Sequence, residues 1–119
     1  MFRLELKCQN LTVREYRLQD GDIRFIGRAP DNHIVIDDPG VSRNHCFIIQ
    51  MDNELLLGDR GSKHMTLVNG MQVICAKLYH GDTIRIGVHH TLKVSVMAKD
   101  GSGTVSAIYD QQKKLMTTT

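Results

Sequence analysis

The chain has 119 residues and a formal net charge of +2, from 15 Lys and Arg against 13 Asp and Glu. That is enough for one domain and too balanced for binding nucleic acid through bulk phosphate attraction. Hydrophobic residues make up 41% and aromatics 5%, with no tryptophan, so a wholly disordered chain is excluded and the core must rest on Ile, Leu, Val and Met.

The pattern along the chain is one of short apolar runs cut by turn residues. Phe2, Leu4, Leu6 and Cys8 alternate with polar partners, the period of a half-buried strand. Asn10 marks a turn, and Leu11, Val13 and Tyr16 to Leu18 predict a returning strand. The turn signal Asp20-Gly21-Asp22 precedes a strand from Ile23 to Ile26. Ile34 to Ile36 is a short run bounded by Asn32 and by Asp37-Asp38-Pro39-Gly40, whose acidic pair is expected to solvate a turn. Cys46 to Met51 and Glu54 to Leu57 predict a hairpin around Asp52-Asn53. Thr66 to Val68 and Met71 to Cys75 predict another around Asn69-Gly70, and Thr83 to Gly87 and Thr91 to Met97 complete the series.

No window before residue 100 keeps a helical period. Roughly ten short strands with regular turns predict an all-β domain, an antiparallel β-sandwich, over residues 1–99. Asp100 to Thr104 has the composition of a flexible linker, and residues 106–116 of the tail carry enough periodicity for a short helix. Cys8, Cys46 and Cys75 are odd in number and widely spaced, without a Cys-x-x-Cys. Each is expected to be a small buried hydrophobe, and a reducing cytoplasm fits best. No stretch approaches a membrane span, and the charged, alternating N-terminus does not read as a signal peptide.

Three turns gather residues of the types suited to holding an anion. They are Gly27-Arg28, the run Gly40-Val41-Ser42-Arg43-Asn44-His45, and the run Gly61-Ser62-Lys63-His64-Met65-Thr66. They offer cations, hydroxyls and glycine-relieved backbone N–H groups, with no carboxylate among them. A phosphothreonine, with about −1.5 to −2 charges and three strong acceptor oxygens, suits that inventory. A guanidinium meets two such oxygens at once. Catalysis is not expected. Ser42 and His45 lie too close along one turn to form a nucleophile–base pair, and there is no Gly-x-Ser-x-Gly elbow. Adjacent His89 and His90 would point to opposite faces of a strand and make a poor metal pair, so neither cofactor nor metal is expected.

The uninterrupted run from Ile26 to His45 resembles the forkhead-associated (FHA) family. So do Asp59-Arg60-Gly61-Ser62, Thr66-Leu67-Val68-Asn69-Gly70 and the run from Leu78 to Gly87. The resemblance covers roughly residues 2–98. It implies a sandwich of about eleven strands and an adaptor that binds a phosphothreonine-containing partner made by a Ser/Thr kinase. Carried over by position, Arg28 would grip the phosphate, Ser42 would donate to it, and Arg43 would flank the peptide. His45 would hold the binding loops, Gly27 would allow close backbone packing, and Asn69-Gly70 would shape the last turn.

One segment departs from the family's Ser-x-Asn-Gly-Thr and reads Ser62-Lys63-His64-Met65-Thr66. His64 stands where the family's asparagine holds the ligand backbone, and Lys63 stands beside the phosphate. Gly40 lies where some relatives carry a side chain that selects the third residue after the phosphothreonine, so no charge selection is expected from it. This altered loop also leaves open a degenerate FHA fold used for phosphate-independent association or dimerisation.

Overall fold

The computed structural model describes residues 1–97; the linker and short helix expected after residue 99 lie outside them. Eleven strands follow one another: β1 (Phe2–Cys8), β2 (Leu11–Leu18), β3 (Ile23–Gly27), β4 (Ile34–Val35), β5 (Cys46–Met51), β6 (Glu54–Asp59), β7 (Leu67–Val68), β8 (Met71–Gln72), β9 (Cys75–Leu78), β10 (Thr83–Ile86) and β11 (His90–Val96). They form two sheets, a six-stranded one in the order β2-β1-β11-β10-β7-β8 and a five-stranded one in the order β4-β3-β5-β6-β9. Among the described residues there is no helix, so none is long and apolar enough to cross a membrane.

Three hairpins turn on paired residues with positive φ: Gln9 (51°) with Asn10 (68°), Asp52 (54°) with Asn53 (60°), and Asn69 (50°) with Gly70 (84°). Such turns match the right-handed twist of the strands they join. Between the sheets lie Leu4, Ile26, Ile48, Leu57, Ile84 and Leu92, all fully buried. Each contributes about 1.5–3 kcal/mol through removal from water.

The structure departs from the sequence expectations at three points. One pairing is parallel: β4 runs beside β3 with Ile34 opposite Ile26. The run from Met71 to Cys75, expected as a single strand, breaks at Val73-Ile74. There the Val73 N–H bonds to the Thr66 carbonyl, and the Ile74 carbonyl accepts from the Asp59 N–H. The chain thereby passes from one sheet to the other, and Cys75 opens β9 alongside β6. Of the cysteines only Cys46 is buried; Cys8 is half-buried and Cys75 exposed on an edge strand. Burial pushes the Cys46 thiol pKa up.

Candidate functional site

Strand β3 ends at Gly27, and the loop that follows is laid against the loop preceding β5. The Arg28 N–H donates to the Ser42 carbonyl at 3.0 Å and the Ala29 N–H to the Arg43 carbonyl at 3.2 Å. Gly27 makes this approach possible, because a Cβ there would stand 2.2 Å from the Arg43 carbonyl oxygen. Asn32 closes the same gap from the side, its Nδ2 donating to the carbonyls of Arg43 (2.7 Å) and Ala29 (3.0 Å). The Arg28 side chain is steered by one bond, from Nε to the Val41 carbonyl at 3.2 Å. Its terminal nitrogens remain for a ligand, and the residue is exposed.

His45 sits beneath these loops with 0% exposure. Its N–H bonds to the Ile26 carbonyl at 2.9 Å, and its Nδ1 accepts the Ser42 N–H at 3.0 Å. An accepting Nδ1 carries no proton, so the ring is neutral with its proton on Nε2. Burial pushes its pKa below the ordinary histidine value, against an upward pull from Asp59 and a further downward push from His64.

The third loop is wound around Asp59. That carboxylate accepts from the N–H groups of Gly61 (2.9 Å) and Ser62 (3.0 Å), and from the hydroxyls of Ser62 (2.5 Å) and Thr66 (2.8 Å). Burial raises its pKa, but the Ser62 and Thr66 hydroxyls and these N–H groups more than offset the effect and hold it below the usual carboxylate range. The loop then reaches the second one, because the Lys63 N–H donates to the Ser42 hydroxyl oxygen at 2.8 Å. With that lone pair occupied, the Ser42 proton is left to donate outward.

Arg28, Ser42, Arg43, Lys63 and His64 therefore sit on three loops tied to one another at one end of the sandwich. All but the half-buried Ser42 are exposed. Of the carboxylates in and beside these loops, Asp59 is turned in to its own donors and Asp38 is 1% exposed, whereas Asp31 and Asp37 are exposed. Asn69 and Gly70 engage other partners. The Asn69 side chain donates to Asp82 at 2.9 Å and accepts from the Thr83 N–H at 3.0 Å, joining the β7–β8 turn to the start of β10.

Asp38 corrects an expectation, for it does not solvate a turn. It accepts from the N–H groups of Gly40 (2.8 Å), Val88 (3.1 Å) and His89 (2.9 Å), and its Oδ2 lies 2.9 Å from the His90 ring. Burial pushes its pKa up, but the His89 N–H, the His90 ring and the N–H groups of Gly40 and Val88 win and hold it far below the usual range. The second loop is thus clamped to the β10–β11 turn. Gly87 (φ 79°) permits this, since a Cβ there would stand 2.7 Å from the Asp38 carboxyl carbon. Beside the clamp lies a groove of ≈ 530 Å³ walled by Pro39, Met65, Leu67 and Val88, with His64 and Arg85 also lining it.

The family model for the FHA domain matches residues 24–87. The chain belongs to the FHA domain family. The glycogen accumulation regulator GarA of Mycobacterium tuberculosis is 41% identical over 70 residues, 59% of this chain and 43% of that protein. The chain thus spans less than half the length of this curated relative. An FHA domain solved in a structural and functional analysis of phosphothreonine-dependent FHA domain interactions is 34% identical. It superposes with a TM-score of 0.72 over 82% of this chain and 97% of its own. The FhaA FHA domain, solved in complex with the intracellular domain of Rv3910, is 35% identical with a TM-score of 0.70, covering 79% of this chain and 99% of its own. The eleven strands in two sheets agree with that fold, and FHA domains are interaction modules rather than enzymes.

Proposed function

We propose that this FHA domain reads phosphothreonine on a partner protein modified by a Ser/Thr kinase, and that it performs no chemistry of its own. The observation that carries this reading is that Ser42 joins all three loops, its hydroxyl accepting the Lys63 N–H at 2.8 Å and its carbonyl accepting the Arg28 N–H at 3.0 Å. In this reading Arg28 takes two phosphate oxygens through its terminal nitrogens, and Ser42 donates to the third. Arg43 and Lys63 add charge beside it, and exposed His64 donates to the peptide backbone. Gly27 and His45 keep the loops in register. Each charge-assisted bond contributes about 1.5–3 kcal/mol; less ordering and desolvation, the sum is micromolar affinity.

The groove beside the loops extends the reading to sequence preference. Gly40 adds no side chain there, whereas Met65 (55% exposed) and Val88 (53% exposed) offer apolar contact. An aliphatic side chain three residues after the phosphothreonine fits that lining. The half-buried and exposed thiols of Cys8 and Cys75 suit a reducing cytoplasm.

The test is a fluorescence-anisotropy titration of the purified chain against phosphothreonine, phosphoserine and unphosphorylated peptide pools, with Arg28→Ala beside it. Micromolar binding to the phosphothreonine pool alone is expected, weakened by about 2–5 kcal/mol in Arg28→Ala. A folded chain that binds no pool in a phosphate-dependent way would sink the reading. The His64-Met65 loop would then mark a fold used for unmodified partners.

A further inference from the structure

The outward face of the five-stranded sheet is apolar where an uncovered antiparallel face is ordinarily polar. The register sets Phe25, Phe47 and Gly58 in one row across β3, β5 and β6, with Ile23, Ile49 and Leu56 in the next. All five large side chains are half-buried. The Phe47 ring fills the space above Gly58, where a Cβ would meet it at 2.4 Å. Along β6 the outward positions read Glu54, Leu56, Gly58 and, just past the strand, Arg60. The guanidinium of Arg60 lies 5.0 Å from the Phe25 ring centroid. At the opposite end Glu54 pairs with Lys77 at 2.9 Å. One row therefore carries an acid at its turn end, a base at its loop end and apolar groups between.

We propose that two copies of this chain pack these faces together about a two-fold axis that lies between the two sheets, parallel to them and at right angles to β6, level with the gap between Leu56 and Gly58. Reversal by that axis sets β6 antiparallel to its counterpart. Glu54 of each copy then meets Arg60 of the other, and Leu56 meets the Phe47 ring over Gly58. The row is its own complement when reversed, which is what an isologous contact requires and what selects a second copy over an unrelated partner. Face-to-face sheets stand about 10 Å apart, within reach of these side chains. Lys77 stays at the edge and shares Glu54. The phosphate-binding loops lie beyond the strand ends, so the dimer leaves both free and facing opposite ways. Two sites on one particle raise the avidity for a partner phosphorylated twice or clustered. The contact itself does not rest on the phosphothreonine reading.

Sedimentation velocity of the full chain, from about 1 to about 500 µM without peptide, tests this. A concentration-dependent dimer is expected, with Glu54→Arg and Arg60→Glu each weakening it at least about tenfold. The combined Glu54→Arg/Arg60→Glu chain restores it to within about threefold, and Leu56→Lys on the same row disrupts it independently. Circular dichroism shows that each variant is folded, and Glu54→Arg leaves phosphopeptide binding unchanged. A monomer throughout the range overturns the proposal, as does a dimer that ignores both reversals. A dimer lost in Arg28→Ala but kept in Glu54→Arg also overturns it, by moving the contact to the loops.

Discussion

The backbone N–H of Lys63 donates to the Ser42 hydroxyl at 2.8 Å, so one side chain braces the third loop and, in the proposed reading, also donates to the phosphate. Ser42→Ala separates these roles. The exposed Lys63 N–H turns to water, and stability falls by about 0.5–1.5 kcal/mol. Phosphopeptide binding falls further, by roughly 1.5–3 kcal/mol, because a bond to a charged acceptor is lost. Thermal unfolding and anisotropy on the same preparation check this. An equal loss in both, with phosphate dependence intact, would make Ser42 a brace and nothing more.

Gly27 is set by geometry rather than by charge. A Cβ at this position stands 2.2 Å from the Arg43 carbonyl oxygen and 2.8 Å from Asn32 Nδ2. Gly27→Ala must push the two loops apart, at about 1–3 kcal/mol. The melting temperature should fall by about 4–8 °C for each kcal/mol in a domain of this size. Phosphopeptide affinity should fall with it, since Arg43 rides on the displaced strand of backbone. Wild-type melting with wild-type affinity would contradict this account.

That the three loops carry the candidate site was legible because its parts lie in contiguous turns, and the structure joins those loops to one another. Arg28, Ser42, Arg43 and Lys63 each adjoin turn residues, and Asn69-Gly70 declared its positive φ through residue type alone. What stayed hidden depends on partners remote in sequence. Asp38 belongs to an acidic turn that composition assigns to solvent, and its burial follows from Val88 and His89, fifty residues on. The passage of the chain between sheets at Val73-Ile74 has no local signal either. Alternation reports which side of a strand is covered but not which sheet the strand joins, so β9 merged with the hairpin before it. Asn32 looked like a turn residue, and its two bonds to backbone carbonyls appear only once the loops face each other.

The Asp38 clamp makes the domain sensitive to strong acid. Its folded pKa is depressed, so its stabilisation is fully present above the unfolded value of about 3.9 and is lost as pH falls from there toward the folded value. Asp38→Asn cannot accept from all four donors, and it should flatten this part of the profile while lowering stability at neutral pH. Urea unfolding between about pH 2 and 7 measures both effects. Parallel profiles for the two proteins would exclude Asp38 as the source. Asp38→Ala, which leaves every donor unpaired, should cost roughly 3–5 kcal/mol.

His45 titrates in a milder window. Its folded pKa is lowered, chiefly by burial, so above about 6.5 both states are neutral and its contribution is complete. Below 6.5 the unfolded chain gains a proton that the folded ring refuses, and stability falls as pH drops toward the folded value. Protonation would also expel the Ser42 N–H from Nδ1. Stability measured from about pH 7.5 to 5.5 should therefore slope downward in the wild type, and the slope should be shallower in His45→Gln. An unchanged slope in the variant would assign the titration to other groups.

The groove yields the most discriminating prediction, because it concerns preference rather than binding as such. Its walls Pro39, Met65, Leu67 and Val88 are apolar, and burying an aliphatic side chain contributes about 1.5–3 kcal/mol before ordering costs. In a series of phosphothreonine peptides differing only at the third following residue, Ile or Leu should bind about tenfold more tightly than Ala. Val88 is 53% exposed, so Val88→Asp is tolerated by the fold and places a carboxylate on the wall. It should erase most of the aliphatic advantage and leave the Ala peptide's phosphate-dependent affinity nearly intact. A flat series in the wild type would mean that the ligand does not enter the groove. Equal losses for Ile and Ala in Val88→Asp would mean that the added charge acts on the phosphate from a distance.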